Sequence, residues 1–279
     1  MTKLRPFFLL ALAAWLLGGA NVRSESLHLG KLPLAVRKAV RDLDDQAKIE
    51  DITQAILDGE VRYTLTLSNN GTNRDIVVAE NGKVKSAEIP LEVVPPTARS
   101  VIRKTMGRAT LESVATSFEG DTINYDVMMI NTNGAQRSFT VELNGTISNK
   151  QIDLDEAPFA VRAAIKSQLI KLHANLTELD WTSDKDGISY DVTVKTGDQS
   201  RELSVLPTGQ IDSIQVFSNE LPQAGQQTLT AHLAGGKLAR IDIDYDDDGT
   251  FLYDVQVRAN GNLSEFYITP DGTFQATDD

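Results

Sequence analysis

The feature that most constrains this chain is a recurrence at about 63 residues, because any fold assigned to it must repeat at that interval. A proline opens each stretch at Pro33, Pro96, Pro158 and Pro222, with an alanine two residues on at Ala35, Ala98, Ala160 and Ala224. A tyrosine follows near the middle, at Tyr63, Tyr125, Tyr190 and Tyr253. A turn glycine comes near the end, at Gly82, Gly145, Gly209 and Gly272. Four residue types kept in one register point to four copies of one small unit.

Each copy reads the same way. Proline suits the first turn of a helix, where its missing N–H has no partner to lose. Apolar residues then fall at helical spacing, as in Val36, Ala39, Val40 and Leu43, or Val161, Ala164, Ile165 and Leu169. In the fourth copy Gly235-Gly236 marks a helix stop. A first strand begins with apolar residues three apart (Ile49 and Ile52, Leu111 and Val114, Leu176 and Leu179, Leu238 and Ile241), which predicts a bulge or a bent strand start. The second strand alternates strictly, as in Val61-Tyr63-Leu65-Leu67 and Ile188-Tyr190-Val192-Val194, the pattern of a half-buried antiparallel strand. Turns precede it at Asp58-Gly59, Glu119-Gly120, Asp186-Gly187 and Asp248-Gly249. Two more strands meet at a turn such as Asn81-Gly82.

The expected fold class is therefore α+β: tandem repeats, each one helix packed on a four-stranded antiparallel meander sheet. The expected boundaries are a signal peptide over 1–20, a linker over 21–30, and repeats over 31–90, 91–153, 154–217 and 218–279.

The leader carries Lys3 and Arg5, an apolar stretch from Pro6 to Leu17, and small residues at Gly18-Gly19-Ala20. That is the pattern of a cleavable export signal, and the stretch is shorter than the roughly 20 residues of a membrane span. The expected location is extracytoplasmic, periplasmic or secreted. The chain has no cysteine, so disulfides, thiol catalysis and a lipid-modified cysteine are all excluded. Its formal charge of −12 opposes binding to nucleic acid or anionic lipid, which need Lys and Arg.

The opening Leu32-Pro33-x-Ala35-Val36-x-x-Ala39-Val40, the Asp-Gly turn, the Tyr63 strand and the Asn81-Gly82-Lys83-Val84 turn together resemble the PepSY-like repeat family, which has the β-lactamase inhibitory protein-like fold. The resemblance runs from about Leu32 to Phe274. It implies an extracytoplasmic protein that binds or inhibits a secreted enzyme such as a peptidase. One departure stands out. Tight inhibitors present aromatic or Arg hot spots, whereas the strand face opposite the tyrosines carries Arg62, Thr64, Thr66, Asn124 and Asp126.

The sharpest local motif is Asp244-Tyr245-Asp246-Asp247-Asp248-Gly249, which matches the first half of an EF-hand loop with carboxylates at positions 1, 3 and 5. Asp244, Asp246 and Asp248 are thus candidate calcium ligands, although Val255 stands where the bidentate glutamate belongs. A charged hairpin turn explains the same residues without metal. His28, His173 and His232 have no partners at zinc-ligand spacing. No GxSxG, HExxH, P-loop or GxGxxG sequence occurs, so no catalytic residue is assigned. Arg74, Arg137 and Arg201 recur at the start of the third strand and are expected to pair with carboxylates across the hairpin. The functional expectation is an exported, non-enzymatic protein-binding array without cofactor. The alternatives are a calcium-dependent envelope or matrix protein and an enzyme with an unrecognised site.

Overall fold

The structure is a computed structural model and describes residues 29–57, 60–69, 71–119, 122–233, 235–246, 248–259 and 262–277. The expected signal peptide, His28, Asp58-Gly59, Gly120 and Asp247 lie outside the described residues. Four helices occur among them: α1 (Leu34–Leu43), α2 (Pro96–Met106), α3 (Phe159–Leu172) and α4 (Gln223–His232). After α1 come β1 (Lys48–Leu57), β2 (Glu60–Asn69), β3 (Thr72–Ala79) and β4 (Val84–Glu88). After α2 come β5 (Thr110–Glu119), β6 (Thr122–Ile130), β7 (Gln136–Glu142) and β8 (Ile147–Gln151). After α3 come β9 (Asn175–Asp184), β10 (Gly187–Thr196), β11 (Gln199–Val205) and β12 (Ile211–Gln215). After α4 come β13 (Lys237–Tyr245), β14 (Phe251–Ala259), β15 (Asn262–Ile268) and β16 (Phe274–Ala276).

The strand arrangement corrects the expected fold class. Within each of two compact units the strands follow one continuous antiparallel order, β1 to β8 and β9 to β16, rather than separate four-stranded meanders. β4 hydrogen-bonds β5, with Ser86 opposite Ser117, and β12 hydrogen-bonds β13, with Ser213 opposite Asp244. The physical reason is edge chemistry. A four-stranded sheet would leave two rows of open N–H and C=O groups, and joining neighbouring edges satisfies them.

The chain divides into two compact units, which meet in sequence between Gln151 and Ile152. In the N-terminal unit, Val36 and Val40 of α1 pack on Ile52, Tyr63, Leu65, Leu67, Ile76 and Val78. Ala98 and Ile102 of α2 pack on Val114, Tyr125, Val127, Phe139 and Val141. In the C-terminal unit, Val161 and Ile165 of α3 meet Leu179, Tyr190, Val192, Val194 and Leu203. Leu229 of α4 meets Ile241, Tyr253, Val255, Val257 and Phe266. Full burial of one such side chain contributes about 1.5–3 kcal/mol, so these clusters hold each helix to its strands. The bulge in the first strand falls where the apolar spacing places it, between Ile49 and Asp51, Leu111 and Ser113, and Leu238 and Arg240.

Prolines begin every helix, with one correction. Pro33, Pro95, Pro158 and Pro222 stand at the N-cap with ψ between 146° and 152°, so Pro96 is the first helical residue and not the opening one. A residue before proline is driven out of the helical region, which fixes Pro95 as extended and starts α2 at Pro96. Thr97 accordingly fills the place expected for Ala98. Gly82, at φ +87°, would put a Cβ 2.8 Å from the Ala35 carbonyl oxygen, and Gly209, at φ +86°, one 2.7 Å from that of Ala160. At Gly145, φ +91°, a Cβ would meet the Thr97 side chain instead, with Cγ2 at 3.1 Å. These turns need glycine both for their dihedrals and for their contact with the helix start.

Candidate functional site

The candidate calcium residues do not converge on one face. Asp244 lies on β13 opposite Leu252 of β14 and Ser213 of β12. Asp246 and Asp248 lie in the turn that follows, where both accept from one hydroxyl: Thr250 Oγ1 is 3.1 Å from Asp246 Oδ2 and 2.7 Å from Asp248 Oδ1. The Thr250 N–H also donates to Asp248 Oδ1 at 2.9 Å. These Thr250 bonds hold the Asp248 carboxyl below the usual range. Among the described residues, no group of three or more His, Cys, Asp or Glu is placed to hold a metal ion. Beside the turn is an open depression lined by Gln210, Ile211, Tyr245, Asp248 and Gly249.

The two described histidines, His173 and His232, take structural places. His173 ends α3 in the left-handed conformation at φ 49°. His232 stacks on Phe274 with ring centroids 4.0 Å apart, and its Nδ1 is 2.9 Å from the Thr228 carbonyl. Two of the recurring arginines pair away from their hairpins: Arg74 reaches Asp44 past the end of α1 at 2.7 Å, and Arg201 reaches Glu220 at 2.7 Å.

The denser chemistry lies on the face of the C-terminal strands turned away from the helices. Tyr190, Val192 and Val194 face α3, so the alternating Asp191 and Thr193 face the other way. Register then places Asp191 directly opposite Asp180, and Thr193 between Glu178 and Glu202. The same face continues on β13 to β15, where Asp254 is flanked by Asp242 and Tyr267. Like charges directly opposite each other on adjacent strands are destabilising. Burial, followed by the Glu178 and Asp191 carboxylates, pushes the Asp180 carboxyl up to about 7. Burial, followed by Glu265, Asp244 and Asp242, pushes Asp254 up to about 8. The Oδ1 atom of Asp254 is buried and accepts no hydrogen bond.

Part of this charge is answered within the chain. Arg240 binds Asp242 through Nε and also through Nη2 at 2.8 Å, and it reaches Glu202 Oε2 at 2.5 Å. Burial opposes the Arg240 charge and these two carboxylates outweigh it, so its pKa is raised. Thr182 Oγ1 donates to Asp191 Oδ2 at 2.8 Å. None of these acidic residues apart from Asp244 belonged to a motif. The signal that finds the Asp180–Asp191 pair is the Asp186-Gly187 turn, because a hairpin closed between Asp184 and Gly187 sets 180 opposite 191.

No family model and no curated protein matches the chain. Among solved structures it is similar to a DUF2874-family protein from Bacteroides ovatus, at 13% identity and a TM-score of 0.31, over 42% of this chain and 84% of that one. It is also similar to a Bacteroides vulgatus protein of unknown function described as a candidate periplasmic protein, at 22% identity and a TM-score of 0.30, over 47% of this chain and 99% of that one. A third, from Bacteroides thetaiotaomicron, is described as a candidate calcium-regulated periplasmic protein and shares 10% identity at a TM-score of 0.30, over 46% of this chain and 94% of that one. Likenesses at these scores carry no inference about function.

Proposed function

We propose that this is an exported, non-enzymatic binding protein whose helix-free face in the C-terminal unit takes a Lys- or Arg-rich segment of a partner protein. The observation that carries the reading is the crowding of half-buried carboxylates on β9 to β15, with Asp180 opposite Asp191 and an Asp254 oxygen left without a donor. A face that holds protons against their ordinary affinity gains when a fixed cation replaces them. Export is supported by the basic and apolar leader over residues 1–20. Its resemblance to PepSY-like repeats makes a secreted peptidase the partner to try first.

Calorimetric titration of the full chain with a lysine-rich peptide at low salt checks this. Binding is expected to release protons below about pH 8 and to weaken as salt rises. The double variant Asp180→Asn/Asp254→Asn should lose most of it. Equal binding by wild type and variant would remove this face from the reading.

A second reading rests on the convergence of Asp246 and Asp248 on Thr250 Oγ1, which brings two carboxylates to one point at the β13–β14 turn. In that reading the turn binds calcium, with the Thr250 hydroxyl yielding its place. Calcium would then raise the melting temperature, since a ligand bound only by the folded state stabilises it. The rise should vanish in Asp246→Asn/Asp248→Asn, and the absence of any rise in the wild type retires the metal.

A further inference from the structure

Among the described residues, β1 is paired on one side only. Its ladder runs to β2, from Lys48 opposite Ser68 to Leu57 opposite Glu60. Among the described residues, nothing hydrogen-bonds the N–H and C=O groups on the other edge of this ten-residue strand. The two ends of that edge differ. The first part carries Lys48, Glu50, Asp51, a Lys48–Glu50 ion pair and the bulge, all of which discourage strand addition. From Ile52 to Leu57 the strand has no charged residue, and Ile56 is exposed.

Within the chain, two junctions show what sits beside a strand of this kind. In both, the residue four after the turn glycine (Ser86 after Gly82, Ser213 after Gly209) lies opposite the residue three after the first buried position past the bulge (Ser117 after Val114, Asp244 after Ile241). In both, the next chain segment donates to that buried position: Ile89 N–H to the Val114 carbonyl and Val216 N–H to the Ile241 carbonyl, at 2.8 and 2.9 Å. The matching positions on β1 are Ile52 and Ala55, in the uncharged part of the edge. The matching residue after the last turn glycine, Gly272, is Ala276 on β16, a strand whose described ladder runs to β15 alone.

We infer that the uncharged edge of β1 is an assembly site that takes β16 of a second copy of this chain, with Ala276 opposite Ala55. Such a contact is head-to-tail, so it builds an open chain of copies or a closed ring. It repeats the register of β4 on β5 and of β12 on β13. In β5 the Val114 carbonyl faces β4, and alternate peptide groups face the same way, so the N–H groups of Ile52 and Gln54 point outward on β1.

Gln54→Pro removes one outward donor and leaves the β1–β2 bonds in place, because proline is tolerated where the N–H faces outward on an edge. Sedimentation of the purified exported chain over a range of concentrations is the test. The wild type should show an average mass that climbs with concentration, while Gln54→Pro stays at the monomer mass with an unchanged melting temperature. A wild type that is monomeric at every concentration overturns the inference. So does equal association by Gln54→Pro. Slow hydrogen exchange at Ile52 and Gln54 in dilute monomer also overturns it, since the edge would then be covered by the chain's own residues.

Discussion

The helix-free strand faces of the two units have the same backbone plan and arrange their carboxylates differently. In the N-terminal unit the carboxylates of this face are bonded to neighbouring hydroxyls: Thr66 Oγ1 donates to Asp75 at 2.7 Å, and Thr140 Oγ1 donates to Asp126 at 2.8 Å, although burial raises the pKa of Asp126 there too. Thr140 and Asp126 are buried there at 1% and 7% exposure, although they point away from α2. In the C-terminal unit the corresponding strands set Asp180 against Asp191, and Asp254 against Asp242. The fold constrains the inward positions, where Leu65, Val127, Val192 and Val255 are all buried. It leaves the outward positions to be chosen for something else. The N-terminal face gives Asp75 and Asp126 hydroxyl donors, and the C-terminal face sets carboxylates directly opposite one another.

The largest expected effect tests what the units share. Gly82→Val and Gly209→Val each force a side chain into a helix start at positive φ, and each should destabilise its unit by about 2–4 kcal/mol in urea unfolding. A large loss in one and none in the other would break the common plan.

The next effect separates the units. The folded-state pKa of Asp180 is raised, so its contribution is fully present below the unfolded value near 4 and is lost as pH rises through about 7. The C-terminal unit should therefore weaken between about pH 4 and pH 7, and Asp180→Asn should recover about 1–2 kcal/mol above that window after discounting for partial exposure. At about pH 4 the same substitution should change little. Hydrogen exchange resolved by unit would read this, and a variant that helps equally at both pH values contradicts the assignment. The smallest effect belongs to the N-terminal face, where Thr140→Val deprives Asp126 of one donor and should cost about 1 kcal/mol in thermal unfolding.

How far the sequence reveals all this depends on the range of the interaction. Helix starts and the alternating strands are local, and the tyrosine rows Tyr63, Tyr125, Tyr190 and Tyr253 mark the buried face directly. Pro95 was displaced by its neighbour because two prolines compete for one cap and only the rule on pre-proline residues decides between them. The joining of β4 to β5 was not legible, since alternation shows which way a side chain points and not which strand lies alongside. The calcium motif drew attention to Asp244, yet the crowded face depends on Asp180, Asp191 and Asp254, which belong to no motif. Turn geometry places Asp180 beside Asp191, but Gln215 meets Asp242 only after the chain has passed through α4.

The central claim is that the C-terminal face holds carboxyl groups that are reluctant to ionise until a cation arrives. Carbon-detected NMR titration of the Asp180 and Asp254 carboxyls measures this directly, alone and with a lysine-rich peptide. The account predicts midpoints near 7 and near 8 in the free protein, both moving down when the peptide binds. Midpoints near 4 in the free protein, unmoved by the peptide, would contradict it.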